Sequence, residues 1–161
     1  MRLRGLVFDD NELIRSFVQQ IMEQRGYEVF SFSDPGLCPL YLQSSCHCPS
    51  GHACGDILIS DVNMLMVGGL SFLGGQIKKG CKVKNMALMS GSWSASELEL
   101  AGRIGCKTFH KPFAPDELRV WLAECEHKIA PCRRLSDWMG GEPSLLALAG
   151  GVAEDPPVRG K

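Results

Sequence analysis

The sequence predicts an α/β fold, a doubly wound sheet of five parallel strands with helices on both faces. Two observations predict it. Short apolar runs alternate with segments of helical period five times along the chain, and no internal repeat is present. The chain has 161 residues, 45% of them hydrophobic and 22% charged, which suits one packed domain.

The elements follow in order. Predicted strands are Leu3–Phe8, Tyr27–Phe32, 57–60, 85–89 and a weakly signalled 108–109, each bounded by polar or glycine residues. Between the first two, residues 12–25 place Leu13, Ile14, Phe17, Val18, Ile21 and Met22 on one face of an amphipathic helix. Pro35 suits the first turn of a second helix running to Gln43, and residues 70–79 form a third. Ser94-Ala95-Ser96-Glu97 is a capping box that opens a fourth helix toward Ile104. Pro115-Asp116-Glu117 opens a fifth, which carries Leu118, Val120, Trp121, Leu122 and Cys125 to about Lys128. These helices serve as right-handed crossovers between parallel strands.

Composition narrows the partners. Seventeen basic and eighteen acidic residues give a formal net charge of -1, which supplies no field for nucleic acid or an anionic membrane. Asp9 and Asp10 cut the first apolar run short of a signal-peptide core, and no run approaches the ~18 apolar residues of a membrane span. A cytoplasmic protein is expected. Eight cysteines fall below the roughly 8–10% of a disulfide scaffold, so they are expected as thiols or metal ligands.

The residues that close the strands carry the chemistry. Asp9-Asp10 closes the first strand, Asp61 the third, Ser90 the fourth and Lys111 the fifth, just before Pro112. In an open parallel sheet these positions share the carboxyl edge, where such sheets bind ligands. Converging carboxylates raise one another's pKa unless a cation joins them, and oxygen donors suit Mg²⁺. Asp10 and Asp61 are the expected direct ligands, with Asp9 bound directly or through water and the Asn63 backbone carbonyl completing the set. A carboxylate beside Mg²⁺ can attack phosphorus to form an acyl phosphate. Asp61 is then the nucleophile, Lys111 the cation that reaches the phosphoryl group, and Ser90 a hydroxyl donor positioned to move toward it. Taken singly these residues have blander readings as a helix cap, a turn hydroxyl and a solvated lysine; their order and spacing reverse that balance.

Leu-Val-Phe-Asp-Asp-Asn at 6–11, Ile-Leu-Ile-Ser-Asp-Val-Asn-Met at 57–64, Ser90-Gly91 and Lys111-Pro112-Phe113 together resemble the receiver domains of response regulators in two-component signalling. The resemblance is chemotaxis-regulator-like and spans roughly Leu3 to Lys128, which implies a receiver domain over residues 1–128. It implies a flavodoxin-like strand order 2-1-3-4-5, phosphorylation of Asp61 by a sensor histidine kinase, a cis Lys111-Pro112 peptide, and output through a protein partner by a switch involving Ser90 and Phe109. It implies self-catalysed phosphorylation and dephosphorylation, with no other enzymatic activity. Two departures stand out: Leu65 replaces the family's usual proline, and Phe109 lies two residues before Lys111, one closer than the usual spacing. Strand side chains alternate faces, so a one-residue shift puts Phe109 in the core unless a bulge restores the register.

Relative to that pattern, residues 44–55 are an insertion rich in Cys and His. Cys46, Cys48, His52 and Cys54 form a candidate Zn²⁺ set, with Cys38 as an extra ligand, although the spacing is not that of a standard finger. A redox-sensitive or inert loop is the competing reading. Residues 129–161 are expected as a tail, too short to fold as an effector domain, in which residues 145–148 dock or the end is disordered. Two functions compete with the receiver reading. A haloacid-dehalogenase-type phosphatase also uses an aspartyl phosphate, but needs D-x-D where Asp9 is followed by Asn11 two residues later. A metal or redox sensor would take the Cys46 to Cys54 loop as its input.

Overall fold

The computed structural model describes residues 1–136. Five strands form one sheet: β1 (Leu3–Phe8), β2 (Tyr27–Phe32), β4 (Ile57–Asp61), β5 (Asn85–Ser90) and β6 (Lys107–His110). Their order is β2-β1-β4-β5-β6 and every pairing is parallel. This is the predicted 2-1-3-4-5 order. The numbering shifts because a two-residue strand, β3 (His52–Ala53), lies in the insertion and pairs in parallel outside the sheet with β7 (Arg134–Leu135).

Alternation along the strands builds two cores. Leu6, Phe8, Leu58 and Leu88 point to one face, where Leu40 of α2 (Pro39–Leu42), Phe72 and Leu73 of α3 (Gly69–Lys78) and Ala101 of α4 (Ala95–Arg103) cover them. Val7, Ile57, Ile59, Ala87 and Met89 point to the other face. There Val18, Ile21 and Met22 of α1 (Glu12–Gln24) and Leu118, Trp121 and Leu122 of α5 (Pro115–Lys128) close the layer. Both faces are thus apolar along every inner strand, as a doubly covered parallel sheet requires.

Several expectations change at this level. Leu13 is 81% exposed: it stands at the margin of the α1 face whose other members, Ile14, Phe17, Val18, Ile21 and Met22, pack in the core. Val120 of α5 is likewise exposed. The predicted helix over 35–43 breaks into a single 3₁₀ turn, Pro35–Leu37, and the four-residue α2. Cys38 stands between them in extended backbone, φ −94° and ψ 126°, since the residue before a proline avoids the helical region and Pro39 has no N–H to donate.

Packing also runs past the expected boundary at residue 128. Arg134 N–H donates to Gly51 O at 2.9 Å and Ser136 N–H to Ala53 O at 2.8 Å, which lays β7 beside β3. Arg133 Nε donates to Asp56 Oδ1 at 2.5 Å, and the Asp56 side chain is only 3% exposed. Arg4, 1% exposed, donates to Glu28 Oε2 at 2.8 Å and Ser136 O at 2.9 Å and lies over the Phe30 ring. The expected disordered end and the 145–148 docking segment lie outside the described residues.

Candidate functional site

β1, β4, β5 and β6 deliver their last residues to one edge. Asp9 follows β1, and its Oδ1 accepts Asn11 N–H at 2.9 Å while its own N–H donates to Phe32 O. Asn11 in turn caps α1, its side chain accepting from Leu13 and Ile14 N–H. Asp61 ends β4, and the next residue, Val62, donates its N–H to Met89 O at 2.9 Å, which fixes the exit of the strand. Asp9 and Asp61 are both buried, whereas Asp10 is exposed.

Lys111 joins this pair. Its Nζ donates to Asp9 Oδ2 at 2.8 Å and to Asp61 Oδ1 at 2.9 Å, so residues 9, 61 and 111 meet at one ammonium. Burial works against the lysine charge, but the two carboxylates prevail and hold it above the ordinary lysine value. Burial also pushes the Asp61 carboxyl above its ordinary range; Lys111 opposes that rise, and the charges of Asp9 and Asp10 add to it. The Lys111-Pro112 peptide is cis, as the resemblance implies. Lys111 N–H donates to Ser90 O at 2.8 Å, tying the ends of β5 and β6 together.

Carboxylate oxygens of Asp9, Asp10 and Asp61 all lie within 4.8 Å of one another. This all-oxygen set, with an ammonium beside two of its members, fits a hard divalent cation such as Mg²⁺ and not a soft one. Asn63, itself exposed, sits two residues past Asp61 in the β4–α3 loop, between buried Val62 and Met64. Ser90 is fully buried; its Oγ donates to Ser92 O at 2.8 Å and accepts Ser92 N–H at 3.1 Å, so the hydroxyl is held within its own loop.

No protein-family model matches the chain, and no curated protein matches it. Solved structures do. The chemotaxis protein CheY4 of Vibrio cholerae is 24% identical, with a TM-score of 0.61 over 78% of this chain and 99% of that one. The Francisella response regulator 1452 receiver domain is 22% identical, with a TM-score of 0.64 over 79% and 98%. A CheY-like response regulator receiver domain protein of Methanospirillum hungatei is 20% identical, with a TM-score of 0.61 over 80% and 100%. The chain has the receiver-domain fold.

Within the receiver fold, Asp9, Asp10, Asp61 and Lys111 come together as the sequence predicts, with Ser90 on the same edge. Phe109 does not take the expected switch position. It is 4% exposed and packs edge-on to Trp121 at 5.7 Å and beside Phe113 at 5.1 Å, in the core under α5. β6 carries no bulge between Phe109 and His110, which pair in register with Met89 and Ser90. Alternation therefore gives the α4 side of β6 to Thr108 and His110.

Cys46, Cys48, His52 and Cys54, the candidate zinc set, are not drawn together. Among the described residues the only group of three or more potential ligands drawn within 4.8 Å is the acidic one. The His52 ring Nδ1 is engaged by Ser50 O at 3.2 Å, and Cys38 is buried in the core with Leu40.

Two site residues escaped the sequence reading. A Cβ on Gly69 would lie 2.0 Å from Asp61 O, so only glycine allows α3 to begin against the strand end that carries Asp61. Trp93 Nε1 donates to Phe109 O at 3.1 Å, which pins the Ser90 loop to β6. Neither carries a periodic or motif signal in the sequence.

Proposed function

We propose that the chain is a phosphoacceptor signalling domain: a sensor histidine kinase transfers a phosphoryl group to Asp61 with Mg²⁺ present, and a protein partner in the cytoplasm reads the phosphorylated state. The Lys111 ammonium held between buried Asp9 and Asp61, with Asp10 alongside, is the observation that carries this reading. An Asp61 oxygen attacks phosphorus as the P–N bond to the donor imidazole breaks, and the ring nitrogen keeps the bonding pair. Lys111 then donates to a phosphoryl oxygen in place of the Asp61 oxygen that has become esterified. Asp10, Asp61, the Asn63 carbonyl and, directly or through water, Asp9 would hold Mg²⁺, which when bound supplies positive charge against the transferring oxygens.

Ser90 supplies the switch. For its hydroxyl to donate to the phosphoryl group it must leave Ser92 O, which exchanges a neutral hydrogen bond for a stronger charge-assisted one. The Ser92–Trp93 segment follows, and with it the surface leading into α4. Phe109 has no part in this switch, for the reason of burial given above.

The phosphatase alternative lacks its general acid, because the side chain two residues after Asp9 is the Asn11 amide, committed to capping α1. The test is labelling by acetyl phosphate: Mg²⁺-dependent, acid-stable and base-labile incorporation is expected in the intact chain and none in Asp61→Asn. Undiminished labelling of that variant, or steady turnover of a generic phosphate ester, would refute the proposal.

A further inference from the structure

The amino edge of the sheet, opposite Asp61, holds a cavity of about 800 Å³ that is partly open to solvent. Two segments outside the receiver pattern help to line it: residues 50–53 of the insertion, and residues within 129–133 that follow α5. The rest of the lining is the start of β5 and β6 and the α5 side chains Trp121 and Cys125. Both added segments are fastened in place. β3 pairs with β7, Arg133 Nε donates to buried Asp56, and Asn85 Nδ2 of β5 donates to Asp56 O at 3.2 Å. A cavity of this size falls in the range of small-molecule sites, roughly 300–1,000 Å³, and is far larger than a single ion needs.

Charge is the second observation. The lining carries five cations, Lys82, Lys84, Lys107, Lys128 and Arg133, against one carboxylate, Asp56, in a chain whose net charge is -1. Arg133 and Asp56 answer each other. None of the four lysines forms an ion pair among the described residues. Lys128 lies in the last turn of α5, where a cation answers the helix dipole, whereas Lys84 and Lys107 flank the starts of strands and have no such partner. Like charges brought round one opening repel unless an opposite charge joins them. Beside the ammonium groups the lining is apolar: Met86, Trp121, Cys125 and Ile129 offer carbon surface, and Lys107 Nζ is held 5.7 Å from the centre of the Phe109 ring.

We propose that this cavity binds a small organic phosphate of nucleoside-diphosphate size, with its phosphates among Lys82, Lys84, Lys107 and Lys128 and its carbon body against Trp121 and Ile129. Lysine suits the charged end, because a compact ammonium on a flexible stem meets phosphate oxygens without a fixed geometry. Inorganic phosphate alone would leave the apolar part of the lining in water. The ligand ties the insertion to the starts of β5 and β6 and to the segment after α5, so it stabilises this edge of the fold and makes no contact with Asp61.

The test is calorimetric titration of the full chain with ADP in the presence of EDTA, which keeps Mg²⁺ from bridging the nucleotide to the acidic cluster. One ADP per chain is expected, with pyrophosphate roughly tenfold weaker, adenosine not bound, and affinity falling as NaCl is raised. Lys84→Gln and Lys107→Gln should each weaken ADP by roughly tenfold, the loss of one charge-assisted hydrogen bond. Lys78→Gln, exposed on α3 and outside the lining, should leave it unchanged. These are surface lysines, and circular dichroism confirms that each variant folds. A chain that does not bind ADP overturns the proposal. So does pyrophosphate bound as tightly as ADP, unaltered affinity in both Lys84→Gln and Lys107→Gln, or a loss just as large in Lys78→Gln.

Discussion

Lys111 separates two carboxylates that burial has deprived of water, and the energetics of the site turn on that one ammonium. Its side chain is 17% exposed and those of Asp9 and Asp61 are 0% and 8%, so Lys111→Met leaves two near-dry charges facing each other. A loss of about 3 kcal/mol in urea unfolding at pH 7 is expected, partly recovered by millimolar MgCl₂. Asp61 has the opposite sign. Its folded pKa is raised, so the folded state holds the proton more tightly and stability falls as pH rises from the ordinary aspartate value through the raised one. Asp61→Asn should therefore raise Tm at pH 7 without Mg²⁺, with the gain vanishing at lower pH; a lower Tm at pH 7 would contradict that sign. Asp61, Ser90 and Lys111 were legible in the sequence because each ends or directly follows a strand, and ends of parallel strands share an edge. The core position of Phe109 was legible from its spacing to Lys111, but its ring partners Phe113 and Trp121 were not, since strand alternation gives a face and not the side chains that cover it.

At the scale of single elements, the junction of β4 and α3 is the most constrained. Gly69→Ala forces a methyl group onto the Asp61 carbonyl, and the neighbour that must yield is backbone. It should cost about 2–3 kcal/mol and lower phosphoryl labelling with it. Gly74, inside the same helix with open space around its Cβ position, gives the control: Gly74→Ala should stabilise by about 0.5–1 kcal/mol and leave labelling intact. Loss of labelling in both variants would remove the special role of Gly69. The five sheet strands were readable from their apolar runs, with ends within a residue or so, as was the capping box at Ser94, where Oγ accepts Glu97 N–H and Glu97 Oε2 accepts Ser94 N–H. β3 and β7 were not, because two-residue strands have no period. The second helix failed as a single element for a local reason, the extended residue before Pro39.

The whole molecule divides into a chemical edge and a fastened edge. Strand order, parallel sense and the two-sided core place Asp9, Asp61, Ser90 and Lys111 together; the parallel sense and two-sided cover follow from the alternation of strand and helix, and the order from the receiver resemblance. The opposite edge depends on buried ions that no periodicity reveals. Asp56 is 52 residues from Arg4 and 77 from Arg133, yet it accepts from Arg4 N–H at 2.9 Å and from Arg133 Nε. Arg133→Ala leaves the Asp56 carboxylate buried and without its guanidinium, so a loss of about 3 kcal/mol is expected in urea unfolding, with Mg²⁺-dependent labelling unchanged once the variant is folded. A loss under 0.5 kcal/mol would show that residues 129–136 do not belong to the cooperative unit. The account as a whole rests on Asp61 as the acceptor, and peptide mass mapping after treatment with acetyl phosphate and Mg²⁺ tests that most directly. One phosphoryl group confined to Asp61 is the expected result; a phosphoryl group on Asp9, Asp10 or a histidine, or none at all, would contradict it.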